Sequence, residues 1–279
     1  MHNKIYPCLW FNNQAKEAAA FYCTVFNNAH ITHENPFVSI FEASGQRFMC
    51  MNGCADIKIN SSISFFVVYE NKEELTLAWL KLVEGGSVLM PLDKYDWSQR
   101  YGWVQDRFGV SWQLSCGKFE EVGQVFTPTF MFTGEQKGNA EKAIEYYTSI
   151  FSNSSLVGIL RYGPNDNDEQ GNIKHAQFTL HNQVFMAMDS GITNSFGFNE
   201  AVSLVVECKD QTEIDQYWNQ LSKGGSEGRC GWLKDQFGVS WQVVPEVLGK
   251  LMSDPERMPR VSQAFMKMKK FDIETLENA

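Results

Sequence analysis

Residues 102–113 read GWVQDRFGVSWQ and residues 231–242 read GWLKDQFGVSWQ, with nine of the twelve positions identical. In each copy Asp opens a D-x-F-G turn in which its carboxylate can bond its own backbone, and the Gly can take a positive φ. The V-S-W-Q that follows reads as a strand.

The match extends outward in the same order. YPCLWF…AAAFYCTVF near residues 6–26 is answered by TPTFMF…KAIEYYTSIF near 127–151. RFMCMNG at 47–53 is answered by VFMAMDSG at 184–191, and ISFFVVY…GGS at 63–87 by VSLVVEC…GGS up to 226. Chance does not supply so many ordered matches, so the chain is a duplication. One copy occupies 1–118 and the other 124–246, with 119–123 as the linker. The copies differ by two insertions, LMPLDKYDWSQR at 89–100 and GPNDNDEQGN at 163–172. Within each copy, short apolar strands alternate with helical patterns such as Ala15, Ala18, Ala19, Tyr22 and Phe26. The Gly pairs at 85–86 and 224–225 follow helices, where a left-handed cap fits. Residues 247–279 are Met-rich and amphipathic, with Asp254 and Pro255 as a helix start. They are expected to form one or two helices packed on the body.

Composition narrows the function. A net charge of −9 excludes general phosphate-backbone binding and disfavours anionic membrane surfaces. Seven cysteines are scattered without a C-x-x-C pair, which favours reduced thiols, and Cys50 and Cys54 have no evident ligand partners. No secretory signal or membrane-length apolar run is present, so the expectation is a cytoplasmic protein.

The pattern YPCLWF…AFYCTVF, CGWLKDQFGVSWQVVP and the tail MKMKKFDIETLENA resembles the PhnB-like branch of the vicinal-oxygen-chelate superfamily, the glyoxalase, bleomycin-resistance and dioxygenase relatives. The branch carries the label 3-demethylubiquinone methyltransferase. The resemblance implies an α+β fold of two tandem glyoxalase-like domains plus C-terminal helices. Each domain would hold two βαβββ modules forming a curled mixed sheet, so the chain imitates a dimer of single-domain relatives; further homodimerisation stays open.

In metal-dependent relatives the ligands come from the first strand, the fifth strand and a Glu on the last strand. Carried onto this sequence, those positions fall near Pro7 and Pro128, near Ser62–Ser64 and Ala201–Ser203, and at Gln113 and Gln242. Proline has no ligand atom and neutral amides or hydroxyls hold a divalent ion poorly, so no metal and no cofactor are expected. His30 and His33 are three apart and face opposite sides of a strand. His175 and His181 would sit about 20 Å apart at strand rise.

Strand parity puts Ser111 with Gln113 and Ser240 with Gln242, with Trp112 and Trp241 facing the other way. The family mapping places Leu9 and Phe11, and Phe130 and Phe132, on the same cup side; Ser203 and Trp232 complete the candidate binding residues. Such a cup suits a small apolar or aromatic organic molecule, although the protein's own side chains could equally fill it. Cys230 has no activating His nearby in sequence, and Asp106 and Asp235 suit a turn role, so the catalytic residues are unknown. Three functions follow: metal-free sequestration of a resistance-like kind; a metal-independent lyase, isomerase or transferase; or an interaction module using the tail.

Overall fold

The computed structural model describes residues 3–53, 56–192 and 194–279, so Cys54 lies outside the described residues. Four βαβββ modules follow one another. The first is β1 (Ile5–Phe11), α1 (Ala15–Val25), β2 (Ala29–Glu34), β3 (Val38–Ala43) and β4 (Gln46–Asn52). The second is β5 (Ile63–Tyr69), α2 (Lys72–Val83), β6 (Ser87–Tyr95), β7 (Ser98–Gln105) and β8 (Ser111–Cys116). A short α3 (Phe119–Val122) leads to β9 (Phe126–Phe132), α4 (Ala140–Ile150), β10 (Ser155–Arg161), β11 (Ile173–Leu180) and β12 (Gln183–Asp189). The fourth is β13 (Val202–Cys208), α5 (Gln211–Leu221), β14 (Ser226–Glu227), β15 (Trp232–Lys234) and β16 (Ser240–Pro245). The tail holds α6 (Val247–Ser253), α7 (Met258–Phe265) and α8 (Ile273–Glu277). The fold is α+β, as the sequence pattern implies.

Contacts divide the chain into two compact units, Cys8–Val202 and Ser203–Ala279, the latter taking in the segment that ends at Pro7. Within the first unit an eight-stranded mixed sheet runs β10-β11-β12-β9-β5-β8-β7-β6. It draws one module from each sequence copy, because β5 pairs with β9, antiparallel, with Ser64 opposite Thr129 and Phe65 opposite Pro128. The 89–100 insertion builds the long β6–β7 hairpin, which has no counterpart of that length in the fourth module. The first unit also holds β2, β3 and β4, with the second half of β1 parallel to β4. In the second unit β13 and β16 run parallel, and β15 and β14 extend them antiparallel.

Local chemistry fixes the helix starts. The Asn71 side chain accepts from the amides of Glu73 and Glu74 at the head of α2, and Asp210 accepts from Glu213 at the head of α5. At the head of α4 the cap comes from another strand: Asp189 Oδ1, on β12, accepts from Gly138 and Ala140. Each Gly pair has two jobs. Gly85 and Gly224 sit at φ +73° and +76°. At Gly86 and Gly225 a Cβ would run into the carbonyl oxygens of Gln105 and Lys234.

The repeated D-x-F-G turn is a buried carboxylate station. Asp106 Oδ1 accepts from the amides of Phe108 and Val110 at 2.8 and 3.0 Å. Its Oδ2 accepts from Trp112 Nε1 at 2.8 Å and from the Tyr22 hydroxyl of α1 at 2.9 Å. Asp235 repeats this with Phe237, Val239 and Trp241 Nε1. Around Trp112 lies an aromatic core, with Phe26 at 4.7 Å, Phe65 at 5.2 Å and Tyr22 at 5.3 Å between ring centroids. Burial pushes the Asp106 carboxyl up, against the downward pull of its four donors, and pushes the Tyr22 hydroxyl up as well.

The tail is stitched into the second unit. Met268 and Lys269 accept from the amides of Cys230 and Gly231 at 2.9 and 2.7 Å, and Gln211 of α5 bonds both Phe271 O and Ile273 N. Lys270 pairs with Asp215. Asp254 Oδ1 caps a turn, accepting from Glu256 at 2.9 Å, and α7 begins after it at Met258, with Pro in its first turn.

Replacing Asp106 with Asn swaps one acceptor for a donor facing other donors; chemical denaturation should show a loss of about 1–3 kcal/mol. Deleting residues 247–279 strips partners from the amides of Cys230 and Gly231 and uncovers Phe271's site. Hydrogen exchange should then report lost protection across β14–β16, rather than an intact unit that has merely lost a docking surface.

Candidate functional site

Two faces of the first unit's sheet must be told apart. Trp112 and Phe65 face α1, and Phe130 packs on Tyr147 of α4 and on Phe185, with centroids at 5.9 and 6.1 Å. That is the helix-covered face. Gln113, Ser111 and Ser64 point to the other. Register therefore separates candidates that the sequence mapping had put together. Phe130 and Phe132 share a face with Pro128 and Phe65, not with Gln113, and Phe132 packs on Phe198 at 5.1 Å. Phe11 meets Phe108 at 6.0 Å, and Leu9 is fully buried. These four are core residues of the first unit. For the same reason Pro128 is not the first-strand position on Gln113's face; Thr129 is, lying opposite Ser64.

On that face the first copy forms a closed polar set. Gln113 Nε2 donates to Ser64 Oγ at 2.7 Å, and Gln113 Oε1 accepts from the Tyr101 hydroxyl at 2.7 Å. Ser111 Oγ accepts from Trp103 Nε1 at 2.7 Å and donates to Ser61 Oγ at 3.1 Å. Tyr101, 5% exposed, lies on β7 against Tyr95 and Trp97 of the inserted hairpin.

The corresponding set of the second copy lies wholly in the second unit. Gln242 Nε2 donates to Ser203 Oγ at 3.0 Å, and Ser203 and Ser240 sit side by side on β13 and β16. Trp232 lies opposite Gln242 and Lys234 opposite Ser240. Ser203, Trp232, Ser240 and Gln242 thus share one face. Cys230 takes a positive φ of 56° and turns its thiol to Phe265 O at 3.7 Å. Burial pushes that thiol up, away from the thiolate a nucleophile needs.

One residue was undervalued in sequence. His175 lies on β11 two residues before Gln177, which pairs with Met186 and through it with Thr129, and so stands on the face of the first unit's sheet that carries Gln113. Burial pushes its imidazole down, so it is held neutral. Its isolation in sequence hid it; the alternation of Lys174, His175, Ala176 and Gln177 along β11 was the available signal. His30 and His33 lie on β2, and His181 lies in the turn before β12 at φ +50°.

A family model described as 3-demethylubiquinone-9 3-methyltransferase matches residues 3–115 and 124–244, one segment for each copy. The chain belongs to this family. It is PhnB-like. A PhnB protein from Bacillus cereus is 32% identical over 41% of this chain and 100% of its own, with a TM-score of 0.38. Glyoxalase I from Zea mays is 11% identical over 90% of this chain and 95% of its own, with a TM-score of 0.58, a likeness of fold. No curated protein matches the chain.

At the positions that the sequence resemblance aligns with metal ligands, the residues of this chain do not fit a divalent cation. In the first copy the face offers a hydroxyl at Ser64, another at Thr129, and an amide whose two polar atoms are already bonded. Among the described residues no group of three or more His, Cys, Asp or Glu side chains could hold an ion. No helix among them is long and apolar enough to cross a membrane.

Because His175 is held neutral in the folded chain and charges freely when unfolded, its contribution is intact above the ordinary His value of about 6.5 and is lost as pH falls below it. Denaturation at stepped pH should show the wild type losing stability through this range relative to His175→Gln.

Proposed function

We propose that this PhnB-like protein binds a small organic molecule on the Gln242 face of its second unit, without a metal. The supporting observation is Ser240: the residue is 1% exposed, and its buried hydroxyl has no hydrogen-bond partner among the described residues. Leaving such a group unpaired costs about 1–3 kcal/mol, a cost that a ligand's polar atom removes. Beside it stand a carboxamide, a second hydroxyl and the half-buried indole of Trp232, the mixture of a flat apolar wall and a few orienting groups that small-molecule sites use.

The family description names a methyl transfer, and the Zea mays structure is a glyoxalase I. Neither chemistry is carried to this chain, because Ser203, Ser240 and Gln242 supply no group that titrates near neutrality and Cys230 is turned away. Binding of the sequestering kind is the best-supported activity. The tail is bonded into the second unit through Gln211, Cys230 and Gly231, which favours packing over partner capture.

A thermal-shift screen against apolar and aromatic metabolites tests this. A ligand at a hundredfold excess over its Kd should stabilise the protein by about 2.7 kcal/mol, and Gln242→Ala should abolish the shift. A broad library giving no response, or hits indifferent to Gln242→Ala, would overturn the assignment. Turnover that survives chelation and is lost in Gln242→Ala would instead establish the metal-independent enzyme.

A further inference from the structure

A cavity of about 470 Å³ lies in the first unit where the end of α1 meets the start of α2, within the size range of small-molecule sites. Its floor is apolar: Val67 of β5, Phe126 opposite it on β9, and Phe26 just after α1, all buried. Two carboxylates border it, and each has an oxygen to spare. Glu74, in the first turn of α2, accepts from Asn27 Nδ2 through Oε2 at 2.7 Å, and Glu70 accepts from the Phe119 amide through Oε1 at 3.0 Å. Among the described residues nothing donates to their other oxygens, and the Tyr69 hydroxyl and the Asn28 side chain, which also line the cavity, make no hydrogen bond. Burial, and then the charge of Glu74, push the Tyr69 hydroxyl up, so hydroxyl and carboxylate stand close together. No Lys, Arg or His among the described residues lines the cavity, and Lys81, which joins α2 to α1, donates to Thr24 O. The matching turn of the second copy shows how such a space is closed. There His181 replaces Ser44, at φ +50° against +47°, and its ring packs on Phe151, the counterpart of Phe26, at 5.6 Å. Ser44 has no side chain to reach that far and leaves the cavity open beside it.

We propose that this cavity binds a small organic cation, a primary ammonium group carried on an aromatic body. It shares no residue with the Gln242 face and stands independently of the activity proposed there. An ammonium has three N–H donors and no acceptor, which matches the spare carboxylate oxygens, the Tyr69 oxygen and the Asn28 carbonyl. Two carboxylates without a lining cation disfavour an anion, and the chain's net charge of −9 works in the same direction. The aromatic body takes the floor, where the rings of Phe26 and Phe126 already meet edge to face at 4.9 Å and offer a third ring the same contacts. A bare metal ion is a poorer match, because that floor gives it no ligand atom.

Isothermal titration of the full chain with 2-phenylethylamine tests the proposal, with 2-phenylethanol, which has the same body and no charge, as the matched probe. One molecule of the amine should bind per chain, and the alcohol about tenfold more weakly, the loss of one charge-assisted hydrogen bond. Glu74→Gln should bring the amine down towards the alcohol and leave the alcohol itself unchanged. Ser44→His, which copies the second copy's own closure at the same backbone conformation, should abolish binding of both, whereas Gln242→Ala should leave both unchanged. The comparison of the two probes needs no variant and so stands even if a substitution folds poorly. No binding of the amine, equal affinity for amine and alcohol, or binding that survives Ser44→His overturns the proposal. Amine binding lost in Gln242→Ala and kept in Ser44→His overturns it as well, and places the molecule on the Gln242 face instead.

Discussion

A buried carboxylate at the turn before the last strand of a module organises much of what surrounds it. Asp106 collects two amides of its own turn, the indole N–H of Trp112 and the phenol of Tyr22, tying turn, strand and helix to one point. A carboxylate has acceptor sites for all four, and none of the four donors could be left unpaired inside the aromatic core without cost. Asp235 does the same for its own turn and Trp241. This is why D-x-F-G-V-S-W is written twice nearly unchanged. Asp sets the turn, Gly109 and Gly238 supply positive φ, and Trp occupies the parity that faces inward.

With Trp fixed on the helix side, the alternate residues Ser and Gln are fixed on the other. The station therefore holds the candidate site's polar groups in place while taking no part in it. The fourth module keeps this frame and gives up much of the hairpin beyond it: β14 and β15 are two and three residues long against nine and eight for β6 and β7. In the first copy the longer hairpin carries Tyr101 and Trp103 onto Gln113 and Ser111. In the second the corresponding backbone is occupied by the tail. An unpaired hydroxyl at Ser240 is tolerated because the strands around it are secured by bonds that do not involve it.

Parity along a single strand was legible: Ser111 with Gln113, Ser240 with Gln242, and the tryptophans opposite. The first strands were misjudged, because alternation says which residues share a face but not which face meets the helix. Leu9, Phe11, Phe130 and Phe132 are the bulky apolar set, and burying them against α1 and α4 removes more apolar surface from water than lining a cup would. That choice hands the other face to Thr127, Thr129 and Met131. The value of His175 was hidden because β12 and β9, which put it on Gln113's face, are joined to β11 only through strand register.

By itself the sequence determined the duplication, the four modules, the turn chemistry of Asp106 and Asp235 and the family, since these rest on local patterns repeated in order. It also placed a neutral amide at Gln113 and Gln242. Only the tertiary structure decided that β5 pairs with β9 and so joins modules from both copies in one sheet, that Tyr101 closes Gln113, and that the tail binds the backbone of Cys230 and Gly231. Strand pairing and hydrogen-bond closure are contacts between residues far apart along the chain, and two near-identical modules present near-identical edges. Their partners are chosen by the packing of the whole, which local pattern does not encode.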